Sequence, residues 1–338
     1  MAKNEVVTIG DAFQDLFVFS DDFKVINDRV FKSGKSLSFD YGAKNDIKQL
    51  VYDIGGSAVN SAISFSRLGC NCGISTFLGD DGVAEKIKLK LTEENIEFVG
   101  KIYSGETNTS IILSCNGDRT ILSYHGKNDY GDLPISKSLK TDWFYLAPIG
   151  IDFERLENKI IENIAKNGTG LIWNPGPTQI KNKAASFRHL LRLCNILILN
   201  REEAFEFSSS GKIEDSMLKL NELGAKLIII TDGKNGSFSY DGKIFYKIDI
   251  SDDKRIDATG AGDAFGSTFA ARAIRKCKEK PTGFVPDRED ILESLKWAVA
   301  NSGSVVSQVG ASVGLLKTEA IEDKVGKLVK LEPTLYNK

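Results

Sequence analysis

The segment Asp257-Ala258-Thr259-Gly260-Ala261-Gly262-Asp263-Ala264-Phe265 is the part of the sequence best equipped to do chemistry. Extended, polar residues precede it. After it, Ala264, Phe265, Thr268, Phe269 and Ala273 are spaced as one face of an amphipathic helix. Gly260-Ala261-Gly262 is therefore expected at a helix N-terminus. There, unpaired backbone N–H groups and the positive end of the helix dipole converge, and small side chains let an anion approach. An acid at Asp263 would repel that anion. It becomes useful if it takes a proton from an attacking hydroxyl while the N–H groups hold a transferring phosphoryl group. The competing reading is an ordinary helix start, with Asp263 as a favourable first-turn acid.

Two other segments invite a ligand. Tyr52-Asp53-Ile54-Gly55-Gly56-Ser57-Ala58-Val59-Asn60 opens a helix rich in small residues that closes at Arg67-Leu68-Gly69. Paired glycines let a backbone approach a ligand, and Asn60, one turn in, offers a donor and an acceptor. Close packing of helix on sheet would use the same residues. Thr231-Asp232-Gly233-Lys234-Asn235-Gly236 follows an apolar strand, but the strand-like Ser237-Phe238-Ser239-Tyr240 comes next instead of a helix. That context fails the dinucleotide-binding test, and alone the segment reads as a hairpin turn. A P-loop is absent, because Arg29 stands where Gly34-Lys35-Ser36 would need its first glycine.

Composition removes several other chemistries. With two histidines, His125 and His189, histidine-rich metal centres are excluded. Cys70, Cys72, Cys115, Cys194 and Cys277 are scattered without paired metal-ligand spacing, and are expected to be reduced, mostly buried thiols. Basic and acidic residues nearly balance (44 against 46) and interleave, so no nucleic-acid partner is expected. No apolar run is long enough for a membrane span, and the first residues lack the core of a signal peptide. A cytoplasmic protein with no membrane partner is expected.

The elements that must position these residues alternate along the chain. Val6–Ile9, Ile74–Leu78, Trp143–Leu146, Leu171–Trp173, Ile196–Leu199 and Leu227–Ile230 are near-continuous apolar runs, as in parallel strands buried on both faces. Helical patterns lie between them, for example Leu156, Ile160, Ile161 and Ile164. The expectation is an α/β protein with helices on both faces of the sheet. Two excursions, approximately 16–50 and 105–130, break this pattern. The second holds alternating strands, Ser110–Cys115 and Arg119–Tyr124, around Asn116-Gly117-Asp118. Together they predict a small β lid.

In this order, the segments resemble the ribokinase-like (PfkB) carbohydrate and nucleoside kinases. The resemblance rests on Gly55-Gly56-x3-Asn60 with Arg67-Leu68-Gly69, Asn174-Pro175-Gly176-Pro177, Asn200-Arg201-Glu202-Glu203, Thr231-x-Gly233-x-x-Gly236, and Asp257 to Phe265. It implies a single ribokinase-like kinase domain over 1–338, a three-layer αβα sandwich with a small β-sheet lid. It implies ATP and Mg²⁺ as cofactors, with Asp263 as the catalytic base and Gly260, Ala261 and Gly262 as the anion hole. Asp15, Gly56 and Asn60 would hold substrate hydroxyls. Asn200, Glu203, Thr231, Gly233, Gly236 and Asn301 would serve the nucleotide, with Glu203 acting on Mg²⁺ through water and Asn301 beside the adenine. Asp257 and Thr259 match positions where relatives bind a monovalent cation such as K⁺.

Departures from the family pattern bear on the substrate. Phe13 stands where ribokinases tend to carry Asn, which tilts the reading toward a nucleoside or an unusual sugar. Asn108 stands where phosphosugar kinases tend to carry Arg, although Lys35 or Lys44 could substitute. The leading expectation is ATP-dependent phosphorylation of a hydroxymethyl on a small-molecule sugar or nucleoside. The alternatives are a phosphosugar kinase and a non-catalytic sugar-binding regulator. A homodimer through the lid is a further expectation, since the lid's edges and one apolar face need cover.

Overall fold

The computed structural model describes residues 3–31, 33–116, 118–126, 129–150, 154–181, 187–275, 277, 280–328 and 331–336. The apolar runs build a ten-stranded sheet. Its spatial order is Thr334–Tyr336, Phe245–Ile248, Ser237–Tyr240, Leu227–Thr231, Cys194–Asn200, Gly170–Trp173, Thr141–Leu146, Asn4–Ile9, Cys72–Ser75 and Glu97–Phe98. Pairing is parallel from Leu227–Thr231 to Glu97–Phe98, and antiparallel through the three strands at the other end.

Alternate residues of each strand feed different cores, which explains the continuous apolar runs. Val6, Trp143, Ile196 and Ile229 pack under the helices Ser57–Arg67, Ala261–Ile274 and Arg288–Val306. Their neighbours Val7, Phe144, Leu197 and Ile228 pack under Glu154–Asn167, Arg201–Ser208 and Ile213–Glu222. The result is three layers, helix on sheet on helix, as expected from the sequence. Among the described residues no helix is long and apolar enough to cross a membrane, and the cysteines form no disulfide.

One expected strand is cut. Cys72–Ser75 stays in the main sheet, whereas Phe77–Leu78 pairs with Lys101–Ile102 in a separate two-stranded piece. The Lys101 N–H bonds Thr76 O at 3.0 Å and draws the chain aside. This pairing partner is 24 residues downstream, so strand periodicity cannot reveal it.

A second sheet lies apart, in the order Asp118–Tyr124, Thr109–Cys115, Phe13–Phe19 and Gln49–Gly55. Asn116 takes a left-handed φ of 53°, as a tight hairpin requires; Gly117 beside it lies outside the described residues. The strands Phe13–Phe19 and Gln49–Gly55 pair antiparallel, and the chain between them adds a small hairpin, Lys24–Asn27 with Lys35–Ser38. Arg67, at the end of the helix that follows Gly56, grips Glu94 at 2.6 and 2.9 Å. It also donates to Ser312 O and Leu315 O at 3.1 and 2.7 Å. It thereby fastens the loop that backs Gly260.

Candidate active site

The first strand, Asn4–Ile9, is where the strand order reverses: the chain first adds Cys72–Ser75 on one side, then Thr141–Leu146 on the other. A crevice opens at the carboxyl ends of strands at such a point, where ligands bind in open α/β sheets. The chain leaves this strand through Gly10-Asp11-Ala12 and runs directly into the lid strand Phe13–Phe19. Asp11 accepts from Gly150 N–H at 3.2 Å and from Asn108 Nδ2 at 3.3 Å. Burial pushes its carboxyl up to about 7. Sequence reasoning missed Asp11. The available signal was a polar residue directly after the first strand.

Asn108 also accepts from Gly126 N–H at 2.9 Å, so its side chain braces the floor of the crevice. Phe13 packs edge-on against His125, ring centroids 5.3 Å apart. His125 was likewise missed; desolvation lowers its pKa.

Asp15 is nearly buried, 6% exposed, and faces Asp53 directly across the lid strands. Burial first, and the Asp53 charge second, push its carboxyl up to about 7, against a hydrogen bond from Ser110. A β-carbon on Gly55 would collide with the Asp15 carboxylate. Gly56 has φ +95°, and a β-carbon there would lie 2.5 Å from Asp11 O. Gly56→Ala combines a left-handed strain with a backbone collision. It is expected to cost about 2–3 kcal/mol, read as a lower urea midpoint.

Helix Ser57–Arg67 presents Asn60 one turn in, 4% exposed. Its Nδ2 donates to Asp263 Oδ2 at 2.8 Å, while its Oδ1 is enclosed without a partner. Asp263 occupies the first turn of Ala261–Ile274, whose cap Gly260 has φ +75°. A β-carbon on Gly260 would meet Ala311 Cα at 2.8 Å, so only glycine fits. Ala264 N–H closes the first turn on Gly260 O at 2.8 Å, which leaves the N–H groups before it without intrahelical acceptors. Gly262 faces open space. Burial at the bottom of the crevice raises the Asp263 pKa, moderated by hydrogen bonds from Asn60 and Ser57. Asp257 Oδ1 accepts from Thr259 N–H and Oγ1 at 3.0 and 2.7 Å, and its Oδ2 accepts from Gly310 N–H at 3.3 Å.

A cavity of about 560 Å³ adjoins this helix start, lined by Asn200, Thr231, Gly233, Gly236, Ala261 and Gly262 among others. That volume suits a drug-sized ligand. Gly233–Asn235 is a short 3-10 turn between Leu227–Thr231 and Ser237–Tyr240, so the segment is both a hairpin turn and a pocket wall. Asn200 caps Arg201–Ser208 reciprocally with Glu203: Asn200 Oδ1 accepts Glu203 N–H at 2.8 Å, and Glu203 Oε2 accepts Asn200 N–H at 2.9 Å. Burial pushes Glu203 up to about 7, and the charges of Glu202 and then Asp263 add to this. A cation near Glu203 and Asp263 would relieve that repulsion, so the residues present fit a hydrated Mg²⁺.

One expected nucleotide residue is placed elsewhere. Asn301 is fully buried; its Nδ2 donates to Thr268 Oγ1 at 2.7 Å and its Oδ1 accepts Leu316 N–H at 2.8 Å. Helix Arg288–Val306 shows the cavity Val299, Ser302, Gly303 and Val306 instead. Asn301 sits one residue from Ser302, but on the face turned inward by the helical period.

The geometry agrees with what comparison with known proteins finds. Residues 4–318 match the model of the pfkB family of carbohydrate kinases. An ATP-dependent 6-phosphofructokinase of Thermoanaerobacterium thermosaccharolyticum is 26% identical over 330 residues, 92% of this chain and 96% of the relative. A cytidine kinase of Thermococcus kodakarensis is 28% identical, over 72% of this chain and 90% of its own. Among solved structures, ribokinase from Giardia lamblia superposes with a TM-score of 0.77 at 22% identity, covering 97% of this chain and 100% of that one. A putative ribokinase II from E. coli, in complex with ATP and Mg²⁺, gives 0.71 at 17%, covering 96% and 99%. With the ribokinase-like fold and a family match over nearly its whole length, the chain belongs to the pfkB family of carbohydrate kinases, enzymes that phosphorylate alcohol groups.

Proposed function

We propose that this protein transfers the γ-phosphoryl group of ATP to a hydroxymethyl of a sugar or nucleoside, with Asp263 as the general base. One observation carries the reading. Asp263, its pKa raised, is held by Asn60 in the first turn of a helix whose N-terminal residues Ala261 and Gly262 line the 560 Å³ cavity. A phosphoryl group at those N–H groups is next to a base and opposite the lid.

Thr231, Gly233, Gly236 and Asn200 form the walls that receive the nucleotide. Glu203, through water, and Asn200 would hold Mg²⁺, which supplies charge neutralisation for the phosphates. Asp15 and Asn60 orient the acceptor, and Asp263 takes its proton as the oxygen attacks in line. The lid excludes water that would otherwise compete as acceptor. Asp257 and Thr259, tied to each other and to Gly310 beside the anion hole, support a monovalent-cation site there; rates in KCl against choline chloride test it. The experiment for the function is a screen of pentoses, hexoses, nucleosides and sugar phosphates with ATP and Mg²⁺. ATP binding without turnover on any acceptor would favour a sugar-binding regulator.

The outer face of the lid supports a homodimer. Leu50, Tyr52, Ile111, Leu122 and Tyr124 point outward on adjoining strands and are 41, 60, 36, 53 and 50% exposed. A contiguous apolar sheet face of this kind marks an association surface. Tyr52→Asp is expected to shift the protein from dimer to monomer in light scattering. A monomeric unmodified chain would remove this reading.

A further inference from the structure

The lid carries a second carboxylate that the proposed function does not use. Asp53 lies directly across from Asp15, in a row where Phe13 faces Gly55 and Phe17 faces Val51. Residues two apart share one face of a strand, so Asp15 and Asp53 both point inward. Directly opposed side chains have Cβ atoms about 5 Å apart, and like charges there repel. Asp53 Oδ1 accepts Ile54 N–H at 2.8 Å, but Oδ2 is enclosed without a partner, against the loop at Gly310. A strand pair has no structural use for two opposed acids with an orphaned oxygen.

The surroundings share this character. Asn60 is 4% exposed, and its orphaned Oδ1 accepts nothing; its amide donor is spent on Asp263. The charges acting on Asp15 are those of Asp53, Asp263 and Asp257, all negative. The cation felt by Asp53 is Lys90, which is ion-paired with Glu94 at 3.2 Å. Asn108 has its donor on Asp11 and its acceptor on Gly126. Asp15, Asp53 and the Asn60 carbonyl thus present hydrogen-bond acceptors and negative charge to the crevice; Arg119, its Nε enclosed without a partner, lies with Asp257 and Val309 in a separate small pocket.

We infer that Asp53 is a specificity-determining residue which, with Asp15 and the Asn60 carbonyl, selects an acceptor by its hydroxyl donors and rejects sugars that carry phosphate or carboxylate. This deepens the kinase reading and rests on it. The hydroxyls of a polyol satisfy the orphaned oxygens, whereas a phosphate would add two negative charges beside the opposed Asp15 and Asp53 carboxylates. The similarity to a 6-phosphofructokinase makes the distinction concrete.

The test compares matched acceptors, fructose with fructose 6-phosphate and a nucleoside with its 5′-phosphate, in wild type, Asp53→Asn and Asp53→Ser. Wild type is expected to favour each neutral member by at least about 100-fold in kcat/KM. Asp53→Asn, isosteric and one charge fewer, should narrow that ratio about tenfold or more, chiefly through KM, with the melting temperature showing that the variant folds. Asp53→Ser should narrow it similarly. Equal or better use of the phosphorylated member, or ratios unchanged in both variants, overturns the inference and leaves the kinase reading intact. No ATP-dependent product from any acceptor overturns both.

Discussion

Asp263→Asn is expected to lower kcat by about 10²–10⁴-fold, with ATP binding, measured by calorimetry, almost unchanged. The substitution keeps the shape and the Asn60 contact but removes the ability to accept a proton. It leaves the cavity walls Thr231, Gly233 and Gly236 untouched, and Gly262 keeps its open approach. Removing a charge beside the phosphates could tighten nucleotide binding slightly, so the loss should lie in turnover.

The pH dependence gives an independent reading. Because burial raises the Asp263 pKa, its base form is lost as pH falls through a value above the ordinary carboxylate range. The acid limb of kcat/KM should therefore lie above the ordinary carboxylate range. Near-normal turnover of Asp263→Asn would remove Asp263 from the role of base. Loss of ATP binding in the same variant would assign it a structural role at the helix start.

The parts of the structure that were legible are those where one physical cause dominates. Leu227–Thr231 and Cys194–Asn200 are buried on both faces, so hydrophobicity alone marks them. Gly260-Ala261-Gly262-Asp263 was legible because small residues beside an acid at a helix start have few uses. The lid was harder. Its strands Phe13–Phe19 and Gln49–Gly55 are covered on the inner face only, and their pairing spans a 30-residue excursion with its own hairpin. Tyr52-Asp53 therefore read as the approach to Gly55-Gly56, when it is half of a strand pair.

Asp11 and His125 escaped for a related reason: each owes its place to a contact distant in sequence, with Gly150 and Phe13 respectively. Asn301 shows the opposite failure. An amide near the cavity looked like a ligand group, yet its hydrogen bonds to Thr268 and Leu316 fix the helix that forms the wall. Residue type marked a polar requirement there, and only the helical face decided whose requirement it was.

Asp15→Asn is expected to lower kcat/KM for the acceptor by about 100-fold or more, and at the same time to stabilise the protein above neutral pH. The first effect follows from replacing a charged acceptor with an amide at a site that reads hydroxyl donors. The second follows from proton linkage. The Asp15 pKa is raised from 3.8 to about 7 by burial and by Asp53, so the folded state binds a proton that the unfolded state has released. Its stabilising contribution is complete below about pH 4 and is lost as pH rises through 7. At pH 8 the wild type holds an unwelcome charge in the lid, at a cost on the order of a few kcal/mol. Asparagine does not. The melting temperature of the variant should exceed that of wild type by several degrees at pH 8, with the gap closing toward pH 5. Asp11 and Glu203, also raised to about 7, remain in the variant, so part of the wild-type trend persists. A polyol that donates to Asp15 at pH 8 should raise the wild-type melting temperature and leave the variant's unchanged. Equal melting temperatures across this range would mean that the Asp15 carboxylate is solvated in the open lid, and that acceptor binding closes the lid over it.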